Sequence, residues 1–204
     1  MLFYIAVVVS VVSVLHAKIP PTDNRTERAK FVNSLIKPGD IGAEIGVASG
    51  VFAYHVLMKQ QPSKLYLIDP WQYGLQSDME LDPTPEKQVF RDFDYKNVVD
   101  LFKPYPNIEV IRMKSEDAVV LFTDDYFDYV YIDGEHSYAA VTRDLNNYFS
   151  KVKVGGYLIG DDYGWTGVMD AVQDFIKSHE NELLFGDDPY AGRTGGQFVI
   201  KRLR

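Results

Sequence analysis

The sequence predicts an α/β fold: a doubly wound, mostly parallel seven-stranded sheet whose last strand runs antiparallel. Three observations carry this prediction. Apolar runs of strand length alternate with segments of helical period along most of the chain. The first run, Ile41 to Val47, passes straight into a glycine turn that enters a helix. The last two runs are joined by a glycine-containing loop too short for a helical crossover, which makes them antiparallel. With 204 residues, 46% of them hydrophobic, the chain suits one such domain and can fill its core.

Leu2 to Leu15 form an almost wholly apolar run, closer in length to a signal-peptide core than to a bilayer span. No Lys or Arg precedes it, and Leu15-His16-Ala17 puts a bulky residue where a cleavage site needs a small one. Lys18, Arg25, Arg28 and Lys30 all follow, and as flank of an anchor they would keep the domain cytoplasmic. Residues 1–20 are therefore read as an apolar N-terminal segment, either a signal or anchor or else a packed or disordered extension. Residues 21–204 are the domain, with the cytoplasm as its expected location and the apolar segment as its only route to a membrane.

After Pro20-Pro21, Asn24 and Glu27 imitate a capping box, and Ala29, Phe31, Val32, Leu35 and Ile36 give a first helix. Lys37 to Asp40 is a turn, Ile41 to Val47 the first strand, and Gly50 to Gln60 the next helix. Lys64 to Asp69 is a second strand ending in an acid. Pro70 to Pro85 has no sustained period and is long for a connection in an α/β unit, which suggests a functional lid. Thr84-Pro85-Glu86 starts a helix to about Phe102. Asn107 to Arg112 is the third strand, Ser115 to about Phe122 a short helix, and Tyr126 to Ile132 the fourth strand. Ser137 caps a helix through Phe149. Gly155-Gly156 precedes a fifth strand, Tyr157 to Gly160, followed by a helix from Thr166 to Ser178. Glu182 to Phe185 and Gln197 to Lys201 are the last strands.

Composition narrows the functions. The net charge is −8 and no run of Lys and Arg exceeds two residues, so an electrostatic footprint for nucleic acid or anionic lipid is missing. Cysteine is absent, which removes disulfides, thiolate metal sites and cysteine nucleophiles together. The oligomeric state stays open, a homo-oligomer included.

Glu44-x-Gly46-x-x-x-Gly50 lacks the close-packed glycines of G-x-G-x-x-G that admit a pyrophosphate, so a cofactor without phosphates fits better. Asp69 ends the second strand where a carboxylate commonly meets ribose hydroxyls. With Ser115-Glu116 and a fourth-strand Asp133, these residues form an ordered series, and over about Lys37 to Lys201 the chain resembles the class I S-adenosylmethionine-dependent methyltransferases. The resemblance implies that Gly46 and its neighbours pass beneath the methionine part of S-adenosylmethionine. It further implies that Asp69 binds the ribose and that Ser115 and Glu116 lie by the adenine, and it counts Glu44 and Gly50 with Gly46 among the cofactor-binding residues.

Asp133 and Asp161-Asp162 end the fourth and fifth strands, and three carboxylates at one edge repel one another unless a hard cation such as Mg²⁺ compensates. His136 precedes a helix N-terminus, whose dipole favours the neutral ring a general base needs. Asp133-Gly-Glu-His136-Ser-Tyr138 with Asp161-Asp162 is most similar to the branch holding macrocin-type sugar O-methyltransferases and cephalosporin-hydroxylase-like proteins. That likeness implies Asp133, Asp161 and Asp162 as metal ligands, His136 as base, and a small-molecule hydroxyl, on a sugar or phenol, as acceptor. A dinucleotide-dependent oxidoreductase and a non-catalytic binding protein on the same fold are the alternatives.

Overall fold

The computed structural model describes residues 24–73, 85–188 and 196–204. Its elements in order are α1 (Asn24–Leu35), β1 (Ile41–Ile45), α2 (Val51–Gln60), β2 (Lys64–Ile68), α3 (Pro85–Phe102) and β3 (Ile108–Ile111). Then come α4 (Ser115–Ala118), a 3₁₀ turn (Val119–Leu121), β4 (Phe127–Ile132), α5 (Tyr138–Phe149), β5 (Val152–Gly160), α6 (Thr166–Ser178), β6 (Leu183–Asp188) and β7 (Gln197–Arg202).

The seven strands form one sheet in the order β3-β2-β1-β4-β5-β7-β6, parallel from β3 to β5 and with β7 antiparallel to both neighbours. This is the fold the sequence predicts. The chain winds outward from β1 to β3 and returns to β4 on the other side of β1, so the loops after β1 and β4 diverge. A crevice opens between them at the carboxyl ends of the strands, where such sheets bind ligands.

Two apolar layers flank the sheet. Val32 of α1 with Ile36 just beyond its end, Phe52 and Val56 of α2, and Val98 and Phe102 of α3 cover one face with Tyr129 and Tyr131. Val141, Leu145 and Tyr148 of α5 and Val168, Val172 and Phe175 of α6 cover the other with Ala43, Val130 and Leu158. Each fully buried side chain of this size contributes about 1.5–3 kcal/mol. Gln60 Nε2 donates to Asn33 O at 2.6 Å and Gly39 N to Gln61 O at 3.3 Å, so α1 and α2 end together. Both helices therefore begin at the crevice end of the sheet.

Element boundaries agree with the sequence reading to within a residue or two except at two strands. β5 starts at Val152, five residues before the expected Tyr157. Val152 pairs with Phe127, the register then shifts, and pairing resumes at Tyr129 and Tyr157. Gly155, with φ of 87°, lies in this irregular stretch, so the glycine pair bends the strand and does not precede it. β6 also runs on, to Asp188. Residues 74–84 of the expected lid lie outside the described residues. Among the described residues no helix is long and apolar enough to cross a membrane.

Candidate active site

The turn after β1 is clamped between its neighbours. Gly46 N donates to Ile68 O at 2.9 Å, and Asp133 N donates to Ile45 O at 2.8 Å. Gly46 has φ of 87°, and a Cβ there would sit 2.1 Å from the carbonyl oxygen of Asp133. Only glycine satisfies both the left-handed backbone and the backbone-to-backbone approach. Gly50 is also left-handed, with φ of 74°, and Val98 and Phe102 of α3 pack closely over its Cα.

Asp69 holds the turn from the β2 side. Its Oδ2 accepts Val47 N at 2.9 Å and Ala48 N at 3.0 Å, and its Oδ1 accepts Trp71 N at 2.6 Å. Three of about four acceptor positions on the carboxylate are thus used by the backbone. The buried Trp71 completes the brace by donating from Nε1 to Ala48 O at 2.9 Å. Ala48, Trp71 and Asp162 have φ of 49°, 43° and 56°, so left-handed non-glycine residues recur at the ends of β1, β2 and β5. Such conformations cost about 1–3 kcal/mol each and persist where surrounding bonds enforce them.

The crevice forms a cavity of about 220 Å³. Gly46 and Ala48 line it from β1, Asp69 from β2, Lys114, Ser115 and Glu116 from beyond β3, and Asp133, Gly134 and Glu135 from beyond β4. Arg91 of α3 and Arg143 and Asp144 of α5 complete the charged lining, five carboxylates against three cations. Glu44 does not line it. Glu44 is buried on β1 in register with Tyr131, and after burial itself its charge is the main influence raising the pKa of the Tyr129 hydroxyl.

Asp144 was not singled out from the sequence, yet it anchors one end of the cavity. Ser115 Oγ donates to Asp144 Oδ1 at 2.5 Å, and Tyr148, one turn further along α5, donates its hydroxyl to Ser115 O at 3.0 Å. Arg143 Nε lies 3.3 Å from Glu116 Oε2 and 3.9 Å from Asp144 Oδ1. Burial pushes the Asp144 carboxyl up to about 6, against the opposing pull of the Ser115 hydrogen bond and the Arg143 charge. One signal was present in the sequence: an acid inside the apolar stripe Val141, Leu145, Tyr148.

A second group adjoins the cavity. Ser137 caps α5, its side chain accepting Ala140 N, and the preceding turn brings His136 against two carboxylates. His136 Nε2 lies 3.0 Å from Asp162 Oδ2 and 4.0 Å from Asp133 Oδ1, and the three ligand atoms all lie within 4.8 Å of one another. Asp161 is buried, donates its N–H to Ile132 O at 3.1 Å, and does not belong to that group. The juxtaposition is therefore two carboxylates and an imidazole, where the sequence suggests three carboxylates. Asp133 first and Asp162 second raise His136 to about 10. The expectation of a neutral ring fails in this state because hydrogen bonds to two carboxylates outweigh a helix dipole that falls off within a turn. The exposed Trp165 packs its ring 5.0 Å from that of His136. Asp133 alone belongs to both the group and the cavity lining.

Residues 43–163 match a family model described as a methyltransferase domain. The uncharacterized protein R132 of Acanthamoeba polyphaga mimivirus is 35% identical over 72 residues. That match takes in 33% of each protein, so the chain spans about a third of the curated relative's length. The O-methyltransferase NovP superposes with a TM-score of 0.56 at 21% identity, covering 89% of this chain and 78% of that one. Fibrillarin of Aeropyrum pernix, solved with natively bound S-adenosyl-L-methionine, gives 0.55 at 17% identity, covering 87% and 76%. At such identities the two structures speak to the fold.

Proposed function

The chain belongs to the methyltransferase-domain family, and from that premise we propose that it transfers a methyl group from S-adenosylmethionine to a hydroxyl of a small molecule. The observation that supports this reading is the double membership of Asp133, which joins the crevice cavity to the group of Asp133, His136 and Asp162 at the same sheet edge. In the reading, the sulfonium end of the cofactor lies over Gly46 and points toward Asp133. The remaining acceptor position of Asp69 takes a ribose hydroxyl, and the adenine sits by Ser115 and Glu116. Excess carboxylate in the lining suits a cationic sulfonium.

Transfer forms an oxygen–carbon bond as the carbon–sulfur bond breaks, and the hydroxyl proton must leave. His136 is the group positioned to receive it, through the neutral ring. Trp165, exposed and with its ring 5.0 Å from that of His136, offers an aromatic face on which a sugar or phenol ring can lie.

Two carboxylates and an imidazole within 4.8 Å fit a divalent cation, with Mg²⁺ or Mn²⁺ favoured by the oxygens and nitrogen-accepting metals by the ring. Asp133 and Asp162 would hold it, with Asp161 as the third ligand by family likeness or His136 by the geometry. When bound it would supply positive charge that lowers the pKa of the acceptor hydroxyl and offsets the carboxylates that keep His136 protonated. The basic residues following the apolar run support a cytoplasmic domain.

Calorimetric titration with S-adenosylhomocysteine and with NAD tests the cofactor, and preference for NAD would sink the reading in favour of an oxidoreductase. Labelled S-adenosylmethionine offered with phenolic and sugar acceptors tests transfer. EDTA should abolish turnover and Mg²⁺ restore it, and indifference to chelation would overturn the metal reading.

A further inference from the structure

Asp144 sits where an apolar residue belongs. It falls inside the buried stripe of Val141, Leu145 and Tyr148 on α5, and its side chain is only 4% exposed. A carboxylate in such a place costs stability unless its charge is met. Arg143 Nε, 3.9 Å from Oδ1, is out of hydrogen-bond reach and stands closer to Glu116, at 3.3 Å. Ser115 does not account for the charge either. Its hydroxyl is bonded to Oδ1, and a neutral amide oxygen would accept the same bond without burying a charge. Ser115 is besides held at its carbonyl by Tyr148.

The second oxygen is the informative one. Asp144 lines the cavity, and a Cβ built on Gly134 would have Asp144 Oδ2 as its neighbour at 3.8 Å. Gly134 carries no side chain, so Oδ2 faces the space left beside it. The register says where that space lies. Ile68 and Ile132 flank Ile45 at equal height, so Asp69-Pro70 and Asp133-Gly134 leave the sheet on either side of Gly46. Pro70 and Gly134 thus line the cavity from the β2 and β4 sides, and Ser115, Glu116 and Asp144 line it as well. An ionised carboxylate accepts hydrogen bonds and donates none, so the ligand edge that meets Oδ2 must carry a hydrogen. Adenine carries one on its 6-amino group, where a 6-oxo purine presents an acceptor.

We propose that Asp144 Oδ2 accepts a hydrogen bond from the 6-amino group of the cofactor's adenine and so makes the site select a 6-amino over a 6-oxo purine. Glu116, facing the Arg143 guanidinium, takes no part in that selection. The proposal rests on the methyl-transfer reading, which puts S-adenosylmethionine in this cavity, and adds the residue of α5 that reads the base.

The test is calorimetric titration of the full chain with S-adenosylhomocysteine, with S-inosylhomocysteine, its 6-oxo counterpart, and with the analogue bearing hydrogen at purine position 6. The wild type binds the 6-oxo compound about 100-fold more weakly than S-adenosylhomocysteine and the 6-hydrogen compound about tenfold more weakly, because the carboxylate meets an acceptor in the first and loses its donor in the second. In Asp144→Asn the amide oxygen keeps the Ser115 hydroxyl and the NH₂ stands where Oδ2 was. The 6-oxo compound then gains on S-adenosylhomocysteine, and the ratio of the two affinities falls by about tenfold or more. Glu116→Gln, whatever it does to either affinity, keeps the wild-type ratio. A residue that only braced Ser115 would weaken all three compounds alike, so an unmoved ratio in Asp144→Asn overturns the proposal. So does a ratio that collapses in Glu116→Gln, or a wild type that binds the 6-oxo compound as tightly as S-adenosylhomocysteine, a result that needs no variant to fold. A wild type that binds none of the three refutes the cofactor assignment and the proposal together, whereas binding with an unmoved ratio refutes the proposal alone.

Discussion

Replacing Asp144 by Asn should stabilise the protein at neutral pH, and the gain should vanish in acid. The carboxyl is buried on α5 and its pKa stands at about 6 against an ordinary 3.8. A carboxyl raised in this way holds its proton in the folded chain at pH values where the unfolded chain has released it. Between about pH 4 and 6 the folded state therefore binds more protons, and stability falls as pH rises through that window. The two pKa values correspond to about 3 kcal/mol lost by pH 7. Asn keeps the shape and leaves an oxygen to accept the Ser115 hydroxyl, so it removes the ionisation and little else. Urea unfolding of both proteins from pH 4.5 to 7.5 checks this, with coincident fluorescence and circular-dichroism transitions licensing the free energies. The expected result is a variant more stable by about 2–3 kcal/mol at pH 7, with the difference closing below pH 5. A difference that stays constant across the range would refute the argument. An acid that costs this much is expected where function needs it, so the same variant should bind S-adenosylhomocysteine less tightly.

Three further outcomes follow from the braces around the cavity. Gly46→Ala forces a Cβ against the Asp133 carbonyl at left-handed φ and should cost at least about 3 kcal/mol of stability and abolish calorimetric cofactor binding. Trp71→Phe removes the indole N–H that Ala48 O accepts and should lower unfolding free energy by about 1–2 kcal/mol, with faster amide exchange in the turn after β1. His136→Ala should lower single-turnover methyl transfer by about 100-fold or more, while S-adenosylhomocysteine binding, read by calorimetry, stays near wild type because the ring does not line the cavity.

What could be read in the sequence was whatever local pattern decides. Alternating runs gave the strands, and Gly46, Asp69, Ser115 and Asp133 were legible because each ends a strand or starts a turn in a fixed order. Asp144 was not, because its role exists only once α5 packs and its carboxylate meets a hydroxyl 29 positions away in the chain. The brace of Asp69 and Trp71 was hidden for the same reason: it depends on backbone N–H groups, which every residue has. The start of β5 was misplaced because a glycine pair reads as a turn, whereas here it lies in a strand whose register shifts. His136 was located, but its charge followed from Asp133 and then Asp162, carboxylates that a helix-dipole argument does not include.

The position of Asp133 has a thermodynamic consequence. A carboxylate shared by two adjoining sites makes the ligand of one part of the environment of the other, and the coupling must be equal in both directions. S-adenosylmethionine carries a positive charge and S-adenosylhomocysteine does not. A cation held by Asp133 and Asp162 would therefore weaken the first relative to the second, and the spent cofactor would in turn retain that cation more firmly than the fresh one. Exchange of product for substrate would then loosen the metal once per cycle, and the ratio of cation affinities in the two cofactor states would equal the ratio by which the cation shifts the two cofactor affinities.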